Sequence, residues 1–151
     1  MILLDTTVVV YAHGVEHRLK APCDAVLAGV ARGHLDATTT VEVVQEFAHV
    51  HARRGRTREA AVGHARDLRQ LLSPLVAATE DDLAAGLDVY ERGTLGCFDA
   101  VLAATAMRLG ATLVSADRAF AGIDGLAHLD PGSPTFLADL GIGFSAEPPA
   151  R

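Results

Sequence analysis

The sequence predicts an α/β domain built on a parallel sheet covered by helices on both faces. Three observations predict it. Short apolar runs, too brief to be helices, alternate with longer stretches of helical periodicity or with helical pairs. The chain of 151 residues is one domain in size, and half of it is hydrophobic, enough for a sizeable core. No internal repeat and no long linker divides it. Crossovers between the parallel strands are expected to be right-handed.

The elements follow in order. Ile2, Leu3 and Leu4 read as a buried central strand that ends at Asp5-Thr6-Thr7. Val8 to Ala12 then begins a short helix, and Asp5 stands where an N-cap belongs. Glu16 to Arg32 reads as a helix with Leu19, Val26, Leu27 and Val30 inward and Gly33 closing it. Leu35 to Thr38 is a second strand. Thr39 or Thr40 caps the next helix, whose apolar stripe is Val43, Val44, Phe47 and Val50. Glu42 and Glu46 share a face of this helix. Glu42 sits near the cap, where a carboxylate suits the helix dipole. Glu46 lies beside the apolar stripe, a place a glutamate rarely takes unless paired or ligating.

Arg53-Arg54-Gly55-Arg56-Thr57-Arg58 joins this helix to one running from about Arg58 to Leu72. It is either a solvated hairpin tip or a phosphate-binding patch. Pro74 to Ala77 is a third short strand. Thr79-Glu80-Asp81-Asp82 opens a helix to Arg92, its acids serving the positive helix end. Phe98, Val101, Leu102, Thr105 and Leu109 mark one face of a largely alanine helix that stops at Gly110. Thr112 to Ser115 is a strand, Ala127 to Leu129 an edge strand, and Thr135 to Leu140 a short helix. Residues 1–144 form the expected domain and 145–151 a frayed tail.

Composition excludes several classes. No apolar stretch is long enough to cross a membrane. The start runs from Met1 directly into a strand pattern, so no leader is expected. Cys23 and Cys97 form no pairing pattern, which suits a reducing cytoplasm. The formal charge of −6 and the single lysine, Lys20, argue against a broad nucleic-acid-coating surface. Phosphate-binding glycine loops and the G-x-S-x-G nucleophile turn are absent. The histidines make no zinc pattern and are expected to be surface or structural. A phosphatase using an aspartate nucleophile would want a second Asp where the chain has Thr7.

What remains is a set of acids at equivalent places. Asp5 ends the first strand, Asp117 follows a later one, and Asp99 and Glu46 lie on helices packing at the same edge. Ligands of parallel α/β sheets bind outside the carboxyl ends of the strands. Carboxylates gathered there repel one another unless a divalent cation or protons neutralise them. Oxygen donors suit Mg²⁺ or Mn²⁺, and such an ion activates a water and stabilises a phosphoryl transition state.

These residues resemble a known family. Leu4-Asp5-Thr6-Thr7, Thr40 to Phe47, Phe98-Asp99-Ala100-Val101-Leu102-Ala103-Ala104-Thr105-Ala106, and Leu113-Val114-Ser115-Ala116-Asp117-Arg118-Ala119-Phe120 look like the PIN domain, and within it the VapC-type toxins. The match runs in order from Met1 to about Leu129. The resemblance implies a three-layer α/β/α sandwich with a parallel five-stranded sheet and a Mg²⁺- or Mn²⁺-dependent endoribonuclease. It also implies a homodimer and a small VapB-type antitoxin partner. Carried over by position, the catalytic acids are Asp5, Glu46, Asp99 and Asp117; Asp5, Asp99 and Asp117 hold metal, and Thr7 supports them. Many members carry one more acid where this chain has Ala119, which bears on a second metal. In such proteins the hairpin of Arg53, Arg54, Arg56 and Arg58 flanks the cleft, where arginines contact RNA phosphates without reading sequence. Tyr11, Tyr90 and Phe120 are either base-stacking or core residues. Two rivals stay open: a PIN-fold module that binds RNA or a partner without cleaving, and a metal-dependent DNA nuclease or phosphatase.

Overall fold

A computed structural model of the chain describes residues 1–53, 55–93 and 95–142. The expected tail 145–151 lies outside the described residues, as does Arg54. The centre is β1 (Ile2–Leu4), flanked by β2 (Ala37–Thr39) and β3 (Thr112–Val114), with β4 (His128–Leu129) at the edge. The order is β2-β1-β3-β4 and every pairing is parallel. Leu4 is in register with both Thr39 and Val114, and Val114 with Leu129. The strands therefore end flush. Asp5, Thr40, Ser115 and Asp130 follow in one row along the sheet's carboxyl edge, which is what gathers a site from distant sequence.

Two groups of helices cover the sheet. One comprises α1 (Thr6–His13), α2 (Lys20–Ala31), α3 (Val41–Arg53) and α4 (Arg58–Leu72). The other pairs α5 (Glu80–Glu91) with α6 (Cys97–Leu109), and a short α7 (Phe136–Asp139) packs on α2. Leu3, Leu4, Val8, Val9, Phe47, Leu113, Val114 and Phe120 are fully buried between these layers. No helix among the described residues is long and apolar enough to cross a membrane.

Local chemistry explains most boundaries. Thr40 accepts the Val43 N–H and caps α3, and Thr57 caps α4. Thr79 and Asp82 form a reciprocal capping box at the start of α5. Gly110 adopts the left-handed conformation (φ 58°) that ends α6. Asp82 does more than cap. Arg108 of α6 grips it with a two-pronged contact, Nε to Oδ1 at 2.7 Å and Nη2 to Oδ2 at 2.8 Å. Those bonds hold the Asp82 carboxyl down at about 2 against the opposing effect of burial. Gly86 lets the pair approach closely: a Cβ there would stand 2.8 Å from the Val101 Cα. α5 thus clamps α6, which carries Asp99.

Two expectations are corrected. α2 begins at Lys20, and residues 14–19 precede it as turn. Pro22 is the reason: a helix from Glu16 would leave it in an interior position without its N–H, whereas the first turn needs none. The expected strand at Pro74–Ala77 is reduced to one bridge, Thr40 with Val76. Val76 N–H donates to the Thr39 carbonyl and Val41 N–H to the Val76 carbonyl. Pro74 has no N–H to extend that ladder. The sheet among the described residues is therefore four-stranded.

Candidate active site: acids at the strand ends

Asp5 is the hub of the site. It is 4% exposed, and a charge so buried must be hydrogen-bonded. The Thr6 N–H donates to Oδ1 at 2.6 Å. Oδ2 accepts the Thr7 hydroxyl at 2.7 Å, the Ser115 hydroxyl at 2.7 Å and the Thr7 N–H at 3.3 Å. Oδ2 is saturated, and Oδ1 keeps a lone pair for a ligand. One side chain therefore caps α1 and turns a carboxylate oxygen toward the other acids.

Those acids are set around it. Glu46 of α3 accepts the Thr6 hydroxyl on Oε2 at 2.5 Å. Asp117 begins a 3₁₀ turn (Arg118–Gly122), accepts the Ala119 N–H on Oδ1 at 2.9 Å, and is exposed. Asp99 lies in the first turn of α6, whose cap is Gly96 with no side-chain capping bond. Asp99 is half-buried and takes no hydrogen bond from any described residue. Burial, then the charges of Asp5, Asp117 and Glu46 in that order, push its carboxyl up from 3.8 to about 6. That coupling ties all four acids into one electrostatic site.

Residues not singled out from the sequence hold this arrangement. The fully buried Ser115 hydroxyl donates to Asp5 and accepts the Asp117 N–H at 3.0 Å. His128 of β4 in turn bonds the Ser115 carbonyl at 2.9 Å. Thr6 joins Asp5 to Glu46. The available signal was position alone, a hydroxyl next to each strand-end acid. Thr7 is a brace: its hydroxyl donates to Asp5 and accepts the Ala116 N–H at 3.0 Å.

A cleft of about 760 Å³ opens over Asp5, Glu46 and Asp99, with Thr6, His49 and Phe98 among its walls. Phe98 departs from the helical face expected for it: it is 82% exposed, while Leu102 and Thr105 are buried and Val101 and Leu109 partly so. Small alanines at 100, 103, 104 and 106 are buried, so they and not Phe98 make the inward face at the start of α6. Arg53, Arg56 and Arg58 are exposed but are not among the cleft walls. Phe120 is core, Tyr11 stacks on His17 at 4.7 Å, and Tyr90 is exposed.

Asp99 gives a prediction for metal-free protein. Its raised pKa means that the folded state holds a proton the unfolded chain has released, so this contribution to stability falls as pH rises from about 4 to about 6. In EDTA, Asp99→Asn should melt above wild type at pH values beyond that window, and the two should converge as pH falls through it. Thermal melts across the window check this; a gap of the same size at every pH would contradict it.

Comparison with known proteins agrees with the geometry. Residues 2–126 match the PIN domain family. The chain is 46% identical over 147 residues to Ribonuclease VapC7 of Mycobacterium tuberculosis (strain ATCC 25618 / H37Rv), covering 93% of this chain and 99% of that one. Among solved structures it is similar to FitAcB from Neisseria gonorrhoeae (TM-score 0.69, 20% identity, 87% of this chain and 98% of that chain). It is also similar to a toxin–antitoxin complex from Klebsiella pneumoniae (TM-score 0.63, 18% identity, the same coverage). The chain, with two acids just past its strand ends and two on the helices beside them, thus belongs to the PIN domain family.

Proposed function

We propose that this chain is the endoribonuclease toxin of a toxin–antitoxin pair, hydrolysing RNA phosphodiester bonds with the help of Mg²⁺ or Mn²⁺. The observation that carries this is Asp99: a half-buried carboxylate with no hydrogen bond from a described residue, sharing an open cleft with Asp5 and Glu46 and lying within the field of Asp117. The ribonuclease name of the 46% relative supports RNA as substrate. The toxin–antitoxin neighbour supports a small VapB-type antitoxin as partner.

The donor set fits a hard cation. All candidate ligands are carboxylate oxygens, and Asp5 Oδ1 and Asp117 Oδ2 are less engaged than their partner oxygens. Among the described residues no three acids or histidines already converge as ligands of one ion. Mg²⁺ tolerates this, since it binds through one or two carboxylates and keeps several waters. Asp5, Asp99 and Asp117 would hold it, partly through those waters. Such an ion supplies positive charge that acidifies a bound water and offsets charge on the phosphate. Glu46, fixed by Thr6, orients the attacking water or takes its proton. Ala119 leaves the fifth acid position of many relatives empty, which favours a single tightly bound ion.

Arg53, Arg54, Arg56 and Arg58 are assigned to RNA phosphates; of the described ones, Arg53, Arg56 and Arg58 lie outside the cleft walls. Leu83, Leu87 and Tyr90 recur on one face of α5, each nearly half exposed. These exposed apolar side chains, with Phe98 and Leu83 on the cleft wall, suit contact with a second copy, hence a homodimer. Free Cys23 and Cys97 suit a cytoplasmic location.

The direct test is cleavage of structured RNA by purified protein with Mg²⁺ or Mn²⁺ and with EDTA. Asp5→Asn and Asp99→Asn should each lower cleavage by about two orders of magnitude or more while the fold survives. Full activity of either variant, or activity indifferent to EDTA, would overturn the assignment. For the arginines, replacing Arg53 and Arg56 with Ala should weaken RNA binding and flatten its salt dependence by about one unit of slope per lost contact. An unchanged slope would return them to a solvated turn.

A further inference from the structure

Three histidines from three helices meet away from the acids. His13 ends α1, His51 lies near the end of α3, and His64 is in α4. Their ring centroids are 5.0 Å (His51–His64), 5.6 Å (His13–His64) and 6.4 Å (His13–His51) apart. His64 Nδ1 and His51 Nε2 are 2.9 Å apart, a hydrogen bond between two rings. His13 Nδ1 donates to the Val9 carbonyl at 3.0 Å. Phe47 packs edge-on against His13 and face-on against His51. His51 is 5% exposed, and the other two are partly buried.

We infer that this cluster is an acid-labile latch that fastens α4 to α3, with α1 packed against it through the His13 ring. The bond between His51 and His64 has room for one proton. Two neutral rings satisfy it, one donating and one accepting, and so does one charged ring with one neutral ring. Two charged rings cannot: both nitrogens then carry hydrogens, and like charges face each other at hydrogen-bond distance. His13 adds a third ring to the same small space. Imidazole is the side chain that takes up a proton in mild acid, and a second proton on this pair creates the conflict.

The elements packed around it carry other charged and titratable groups. From α1 and the turn after it come Glu16 and His17, both exposed, with His17 stacked on Tyr11. From α2 comes Lys20, which bonds the Ala12 carbonyl and pairs with Asp24. α3 carries Arg53 near its end, His49 lying on the wall of the acid cleft instead, and α4 carries Asp67, three residues beyond His64, all exposed. Among the described residues no carboxylate forms an ion pair with His13 or His64. α1 begins at Thr6 and α3 carries Glu46, so the cluster lies on the same two helices that the Thr6–Glu46 bond joins.

The test compares wild type with His64→Gln, which can still hydrogen-bond His51 but does not titrate. Between about pH 7.5 and pH 5.5 wild type should lose about 3 °C or more of melting temperature relative to the variant. The contribution of Asp99 is common to both proteins and cancels. A second measurement needs no variant: side-chain NMR titration of the imidazoles in wild type. His51 and His64 should titrate in two separated steps, as coupled sites do. A pH-independent melting difference, or two rings titrating as isolated histidines, would overturn the latch. Neither result depends on RNA cleavage, so it stands or falls apart from the catalytic proposal.

Discussion

The site depends on one buried carboxylate. Asp5 sits where β1 turns into α1, in a position water scarcely reaches, and it is sustained by donors from both sides of the sheet's carboxyl edge. Burying a charge is costly unless its lone pairs are filled. Filling them forces Thr7 and Ser115 together across β1 and β3, and Ser115 then fixes the backbone of Asp117. Thr6 transmits the same constraint to Glu46 on α3. The flush strand ends make this possible, because they bring residues 5 and 115 side by side.

Asp99 is the contrasting member. It arrives on α6 with no donor from a described residue, held at its place by helix packing alone. Gly86 sets how closely α5 and α6 approach, and the Arg108–Asp82 grip fixes their pairing. The result is negative charge concentrated beside a cleft and only partly hydrogen-bonded. A fold selected for stability alone would gain from relieving that repulsion, by a lysine or by losing one acid. Strain stored at a site and offset elsewhere in the fold is a mark of function.

Much of this was legible in the sequence because it is written locally. Helical periodicity, the apolar runs, the helix start at Thr79-Glu80-Asp81-Asp82 and the stop at Gly110 each depend on a few adjacent residues. The four acids stood out because each interrupts a pattern that otherwise favours apolar or neutral residues. Less legible were features made by distant pairs. Asp82 looked like a helix-start acid, and nothing near it announces Arg108, 26 residues away. Thr6 and Ser115 carry hydroxyls indistinguishable from those of any turn until the strands are aligned. Phe98 fitted an apolar helical face, yet the buried face of α6 is made by alanines and the ring stands exposed on the cleft wall. Pro22 was a local signal that the helical periodicity from Glu16 outweighed. The histidines were unremarkable one by one, since His13, His51 and His64 meet only when α1, α3 and α4 pack.

The central claim is that four carboxylates form one electrostatic site that a divalent cation completes. Mn²⁺ binding followed by electron paramagnetic resonance tests it most directly, with wild type, Asp99→Asn and Asp5→Asn at neutral pH. The expected result is one tightly bound ion in wild type, with affinity at least about tenfold lower in either variant, about 1.4 kcal/mol. Equal Mn²⁺ affinity in all three proteins would contradict the claim and leave the acids as helix caps and surface charges.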